Sequence, residues 1–537
     1  IPTIWECKIR DCIVGTKQEK GIDFPESYCP VGLSSTLKVV LALTAAICNI
    51  LGIYDVKNAF QTSIAPDEFR IWVTAPKIYL QWYSTVEETF QYDENEEYVR
   101  LCYNGNQGTK AAPKIWYDTL DRVLTGYGFK KSTVDHALFV KHVEPDGWFY
   151  CLISTDDLLC SYPTEKEFYD LKDYLSQYFG LSVQVGDILS YLNMRIIQGE
   201  DAISMDQSEY IFDLLTHYFG TDIDKVKTVA TPMRADAAFE RELYESPPLS
   251  PQQLIQYSIK YKGGFRHHIG KLLHAANYTR MDIMLSVQRI AEFSNKPTSV
   301  AFEAIARHYR YLAQNTLHPI VYPKGSKLDR AATLSYIVSP QQQFKISFPN
   351  HLALFSDAEF ARSLSDRRTW FCTIVLLCGV AVQMKVVKTG TIMTHTTDAE
   401  MHGAFNTVTR LLPLRRLLEF MGFPTPLPTP MYIDNAAVDA VIDANRLTPR
   451  CRHLDIPIAF LQQEKGKTYE QFLIKTNVMM ADFGTKPLDA ALHKRLKYWI
   501  TGAMYLPKQG TKHYELLQMI FYEKKYIEII NFIKEQN

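Results

Sequence analysis

The sequence predicts a multi-domain α+β chain, and three observations carry that reading. At 537 residues it exceeds what one hydrophobic core usually organises, so about three or four units are expected. The first part, to about Arg234, alternates short apolar strands with helices. Helical patterns then run to about Asn315, and strand patterns return from about Gln343.

Composition excludes some classes. The chain is 47% apolar and 22% charged, ordinary for a globular protein. Its longest apolar stretches, Val39–Ile53 and Phe371–Met384, are interrupted and too short to span a bilayer, so they read as buried core and no membrane association is expected. No signal peptide is visible. The chain opens on Ile1 and runs at once into patterned sequence, as expected of a piece of a larger product or a truncated copy. The ten cysteines form no Cys-x-x-Cys pair, which argues against structural zinc and for a reducing compartment.

Element by element, Ser34 or Ser35 is placed to cap a helix from about Thr36 to Cys48. A strand follows at Leu51–Val56. The apolar arms Phe149–Ile153 and Leu158–Ser161 flank the polar Ser154-Thr155-Asp156-Asp157, a β-hairpin with acids at its turn. Pro247, Pro248 and Pro251 mark a linker. Beyond it lie a strand at His351–Phe355, a helix near Thr397–Phe420, a proline-rich turn and a strand at Met431–Asp434. The tail after Pro507 has a helical look.

The net charge of −1 hides a local excess. Between Ser258 and Arg330 stand twelve Lys/Arg against four acids, about eight charges positive, enough to neutralise several phosphates.

Two sets of acids are candidate metal ligands, although each acid alone is unremarkable. Joining a nucleotide to a primer needs two divalent cations about 3.5–4 Å apart, held by carboxylate oxygens from separate rigid elements. Asp55 ends the strand at 51–56, and Asp156 and Asp157 sit at the hairpin turn. An Asp-Asp pair alone is a weak signal, since turns favour Asp. Hydrolysis of a phosphodiester by water also uses two metals. Asp357 follows the strand at 351–355, Glu400 lies on the helix, Asp434 ends the strand at 431–434, and Asp482 lies in Ala481-Asp482-Phe483-Gly484-Thr485-Lys486-Pro487-Leu488.

The local words settle the context. Tyr54-Asp55-Val56-Lys57-Asn58-Ala59-Phe60, Gly108-Thr109-Lys110-Ala111-Ala112-Pro113, Trp116-Tyr117, Asp135-His136, Tyr191-Leu192-Asn193-Met194 and Thr231-Pro232-Met233 occur in this order. Arg280-Met281-Asp282, Lys296-Pro297, Arg310-Tyr311-Leu312 and Arg452-His453-Leu454-Asp455-Ile456 follow. Together, over about residues 8 to 500, they resemble the reverse transcriptase and RNase H portion of a copia-type LTR retrotransposon polyprotein.

That resemblance implies a right-hand polymerase followed by an RNase H-like α/β domain. It puts fingers and palm at 1–234, a linker at 235–256, thumb and connection at 257–330, the RNase H-like domain at 343–500 and a tail at 501–537. It implies two Mg²⁺ or Mn²⁺ ions at each site, one set on Asp55, Asp156 and Asp157 and one on Asp357, Glu400, Asp434 and Asp482. Lys8 and Arg10 would meet the triphosphate, Lys110 would also contact substrate, and Phe60 would exclude a ribose 2′-hydroxyl. His453 is given no catalytic role.

The implied partners are an RNA template, a DNA primer, the RNA–DNA hybrid and dNTPs, in a monomer or dimer. The implied location is the cytoplasm, in a virus-like particle, or the nucleus. Three departures stand out: Ser154-Thr155 where the family has Tyr-Val, Ala111 where it has Gln, and Val14 where it has a basic residue. Two other classes compete, a decayed or domesticated nucleic-acid-binding remnant and a plain metal-dependent nuclease. A freely drifting copy would have lost one of the seven acids, and all seven stand. No protease Asp-Thr/Ser-Gly signature or integrase zinc pattern is present.

Overall fold

A computed structural model describes residues 12–325 except positions 88 and 146, then 332–339, 341–348, 351–360, 366–444, 455–505, 511–513 and 515. The chain divides into two compact units, residues 1–32 with 52–184, and residues 33–51 with 185–537. Among the described residues no helix is long and apolar enough to cross a membrane.

The first unit is built on a sheet made from β1 (Ile50–Val56), β4 (Lys130–Lys131), β5 (Leu138–Val143), β6 (Gly147–Ser154), β7 (Asp157–Tyr162) and β8 (Leu181–Gln184), in the order β4-β5-β6-β7-β1-β8. A smaller antiparallel pair joins β2 (Ile71–Thr74) to β3 (Val99–Cys102). The predicted hairpin is present: β6 and β7 pair antiparallel from Tyr150↔Ser161 to Ser154↔Asp157. Residues 149–154 are all buried, so the arm is a continuous apolar run rather than an alternating one. The helix Ala112–Gly126 has Pro113 in its first turn, where the missing N–H costs nothing.

The second unit contains two further sheets and a hairpin. The first sheet joins β9 (Ile188–Tyr191), β10 (Met194–Gln198), β11 (Ala202–Asp206) and β12 (Ile320–Pro323) in antiparallel order β12-β11-β10-β9. Leu192 and Asn193 link β9 to β10 with φ of 51° and 59°, the left-handed backbone a tight two-residue hairpin needs. The hairpin pairs β13 (Ala332–Ser339) with β14 (Gln342–Phe348). The second sheet has β15 (Leu352–Glu359), β16 (Trp370–Leu377), β17 (Val380–Lys388), β18 (Thr429–Ile433) and β19 (Tyr469–Leu473), in the order β17-β16-β15-β18-β19. Its first three strands are antiparallel, while β15–β18 and β18–β19 are parallel. β15 and β16 are buried along their whole length, as expected of central strands covered on both faces.

Several expectations change here. The early helix runs Ser34–Ala46 with Leu33 at its N-cap and no capping side chain, so neither serine caps it. That helix is buried from Thr36 to Ala46 and lies against β11, β12 and β17, which explains a sequence apolar on every side. The expected linker at 235–256 holds the helix Ala237–Glu245, capped by Asp236, and the start of the helix Pro251–Lys260, capped by Ser250 in a capping box. Of its three prolines, Pro251 opens a helix, while Pro247 and Pro248 lie between the two helices, Pro248 in a bridge to Thr298.

The basic segment is also less exposed than its composition suggests. Arg280 and Arg289 are buried, the first paired with Asp282 and the second with Glu240 and Glu359. Lys260, Lys262, Arg266 and Lys296 remain exposed on that segment. Lys327, Arg330, the Arg452-His453-Leu454 word and most of the tail fall outside the described residues.

Candidate metal centres

In the first unit, Asp55 is the penultimate residue of β1 and Asp156 and Asp157 lie at the β6–β7 turn. The Val56 N–H donates to the Asp156 carbonyl at 2.9 Å, which ties the end of β1 to the turn. Ser182, opposite Asp55 on β8, donates its hydroxyl to Asp55 Oδ2 at 2.7 Å. Thr155 takes φ of 56°, a strained setting for a β-branched residue. The buried Trp116 holds it there: its Nε1 donates to the Thr155 carbonyl at 2.6 Å, and its ring meets Phe179 edge-on.

Asp157 feels the other two acids. Burial and the charges of Asp156 and Asp55 push its carboxyl up to about 6. A divalent cation relieves that crowding, and three carboxylates are the hard donors Mg²⁺ or Mn²⁺ prefers, so the residues fit the metal chemistry.

The other residues assigned from the sequence vary. Phe60 is half-buried in the short helix Ala59–Thr62, just after Asn58 at φ 55°. Lys110 is exposed, yet its Nζ donates to the Gln18 carbonyl at 2.7 Å and its N–H to Gln18 Oε1 at 2.8 Å. Lys8 and Arg10 lie outside the described residues. Ala111 packs with Phe24, Ala65 and Ile115 in a small core cluster, so its methyl fills space that a longer polar side chain would disturb. Val14 is exposed.

In the second unit, the acids come from four elements. Asp357 lies inside β15 rather than after it and is fully buried. Glu400 is near the start of the helix Thr396–Phe420, Asp434 comes one residue after β18, and Asp482 is buried in the short 3-10 turn Met480–Gly484. That turn approaches β16 so closely that a Cβ at Gly484 would fall 2.3 Å from Cys372 Sγ. Only glycine permits the approach that seats Asp482.

Among the described residues, Asp357, Glu400 and Asp434 form a group whose carboxylate oxygens lie within 4.8 Å of one another. Burial, with Asp357 and Asp434 nearby, drives the Glu400 carboxyl well up. Burial and Asp357 push Asp482 up to about 8, opposed by Lys486. This oxygen-only set also fits a hard divalent ion.

Four side chains around the two centres had been given no role from the sequence. Thr485 donates its hydroxyl to Asp357 Oδ2. Lys486 Nζ donates to Asp482 Oδ1 at 2.6 Å and to Asp357 Oδ1 at 3.3 Å. Arg289 Nη2 donates to Glu359 Oε2 at 2.7 Å and to the Thr485 carbonyl at 3.2 Å. Ser182 is the fourth. Thr485 and Lys486 stood inside a recognised word, and the four-residue offset from Asp482 to Lys486 was the available signal for an ion pair.

Residues 5–235 match the family "Reverse transcriptase (RNA-dependent DNA polymerase)". Two retrovirus-related Pol polyproteins of Arabidopsis thaliana, from transposons RE1 and RE2, are 26% and 25% identical over 90% of this chain. That of transposon TNT 1-94 from Nicotiana tabacum is 22% identical over 89% of it. The chain covers 29%, 30% and 33% of these relatives, about a third of their length. Residues 5–235 are thus a reverse transcriptase domain, in a chain homologous over nine-tenths of its length to the Pol polyproteins of copia-type transposons.

Proposed function

We propose that the chain is an RNA-directed DNA polymerase with a second, RNase H activity on RNA–DNA hybrids. The carrying observation is the meeting of Asp55 with the Asp156-Asp157 turn inside the matched domain, fastened by the Val56–Asp156 hydrogen bond. In this reading residues 1–234 are fingers and palm, 257–330 thumb and connection, and 343–500 the RNase H-like domain. The helices at 237–245 and 251–260 join them.

Asp55, Asp156 and Asp157 would hold two Mg²⁺ or Mn²⁺ ions, which when bound activate the primer hydroxyl and hold the triphosphate. Ser182 orients Asp55, and Trp116 keeps the turn in its strained form. Phe60 limits the space beside the sugar of an incoming dNTP. In the second centre Asp357, Glu400, Asp434 and Asp482 would hold the ions for hydrolysis of the RNA strand. The parallel placement of β15 beside β18 supports that reading, since it brings Asp357 and Asp434 to one end of the sheet.

Primer extension on an RNA template, with purified protein and Mg²⁺ or Mn²⁺, tests the polymerase reading, and cleavage of the RNA in a hybrid tests the second. Protein that binds hybrid yet performs neither reaction would instead be a nucleic-acid-binding remnant.

A further inference from the structure

Lys486 lies inside the second acid constellation, not beside it. Its Nζ bridges Asp482 Oδ1 at 2.6 Å and Asp357 Oδ1 at 3.3 Å. Thr485, the residue before it, takes the other oxygen of Asp357. Asp357 is therefore shared. On one side it joins Glu400 and Asp434 in a group compact enough for one cation. On the other it faces Asp482 across an ammonium. Two-metal centres need a carboxylate common to both ions, with the ions about 3.5–4 Å apart. Asp357 would be the acid common to both ions and Asp482 would help to hold the second, and it is between these two carboxylates that the lysine puts its charge.

We propose that the Lys486 ammonium stands in the place of the second divalent ion, so that this centre takes one ion readily and a second only when the lysine withdraws. The proposal rests on the RNase H reading of the four acids. An ammonium and a divalent ion repel each other and cannot share the same two carboxylate oxygens. Lys486 has somewhere to go: its side chain is 32% exposed, whereas the acids it bridges are 1% and 4% exposed. A four-carbon stem lets a lysine leave without moving the backbone, which a short side chain could not do. Withdrawn from the acids, the same ammonium is free to meet a phosphate of a bound strand, so substrate and second ion would favour the same lysine position.

The test is a Mn²⁺ titration of the full chain carrying Asp156→Asn and Asp157→Asn, which silence the first centre. Free Mn²⁺ is followed by its paramagnetic resonance signal and no nucleic acid is added. The parent should bind two ions in unequal steps. Lys486→Met should leave the first constant within about twofold and tighten the second by about tenfold or more, while Lys486→Arg should keep the second step weak. Lys486→Gln gives the same comparison should the Met variant fold poorly, with circular dichroism as the check. A second constant that is unchanged or weaker in folded Lys486→Met and Lys486→Gln overturns the role given to the lysine. If the parent instead shows no Mn²⁺ binding that Asp357→Asn removes, the reading of the acids as a metal centre fails, and the lysine proposal falls with it.

Discussion

Arg289 donates to the main-chain carbonyl of Thr485, the residue whose hydroxyl in turn donates to Asp357. The arginine sits on the helix Met284–Ala291, outside the sheet that carries the acids, and its guanidinium also binds Glu240 at 2.5 Å and Glu359 at 2.7 Å. Glu359 is two residues beyond Asp357 on β15, and Thr485 is three beyond Asp482. One buried cation therefore braces both segments that carry these acids.

Arg289→Met should lower the stability of the second unit by about 3–5 kcal/mol, because it removes a buried cation that pairs with two buried carboxylates. Arg289→Lys should recover part of this, since an ammonium cannot reach both acids with a planar fork. Denaturant unfolding measures the effect. A loss below about 1 kcal/mol in the Met variant would mean that the pairs contribute little.

Phe60 gives a second prediction. It lies two residues after Asn58, which takes φ of 55°, and it is half-buried. Phe60→Ala should raise the ratio of ribonucleotide to deoxyribonucleotide incorporation by about tenfold or more, in keeping with the loss of a steric wall at a sugar. Parallel single-nucleotide extensions give that ratio. An unchanged ratio together with reduced stability would make Phe60 a packing residue only.

Buried histidines predict acid sensitivity in the second unit. Burial lowers His308 and His493 to about 4, and burial with the charges of His267 and Lys271 lowers His268 to about 4, all from 6.5. His308 donates from Nδ1 to the Ala304 carbonyl and has Nε2 2.7 Å from the Ser286 hydroxyl. Above 6.5 both folded and unfolded chains hold these rings neutral, and the packing contributes in full. As pH falls, the unfolded chain takes up protons first, so stability declines from pH 6.5 towards 4. His308→Gln should lower stability at neutral pH yet flatten that decline. Unfolding free energies across this range check it, and a decline as steep in the variant as in the parent would remove His308 from the explanation.

The Asp156-Asp157 turn was legible because its information is local. Two apolar arms of five and four residues with four polar residues between them specify a hairpin, and a strand with Asp55 near its end completes the set. The same holds for the order of strand, helix and strand that carries Asp357, Glu400 and Asp434. What was not legible depends on long-range pairing. Arg289 counted as part of a basic footprint because its acids, Glu240 and Glu359, are 49 and 70 residues away. Composition registers a charge without saying whether it faces water. The proline-marked segment near 250 misled for the opposite reason: Pro251 at the first position of a helix is favourable, and only the capping Ser250 and Gln253 reveal it.

The two acid centres should be separable within one chain. Asp55, Asp156 and Asp157 belong to the first compact unit, and Asp357, Glu400, Asp434 and Asp482 to the second. A carboxylate-to-amide change removes a charge with little change in volume, so each loss stays local as long as the unit remains folded. Glu400→Gln should reduce cleavage of RNA in a hybrid by at least about a hundredfold and leave primer extension within about twofold of the parent. Asp156→Asn should do the reverse, and because its carbonyl, not its carboxylate, anchors Val56, the turn keeps its shape. Glu400 carries an added consequence. Its carboxyl is pushed up by burial and by Asp357 and Asp434, so replacing it with a neutral amide relieves repulsion, and the variant should be at least as stable as the parent in metal-free buffer. Both reactions are measured on one preparation of each variant, with unfolding curves recorded with and without Mn²⁺. A folded Glu400→Gln protein that has lost primer extension as well would show that the two centres act as one.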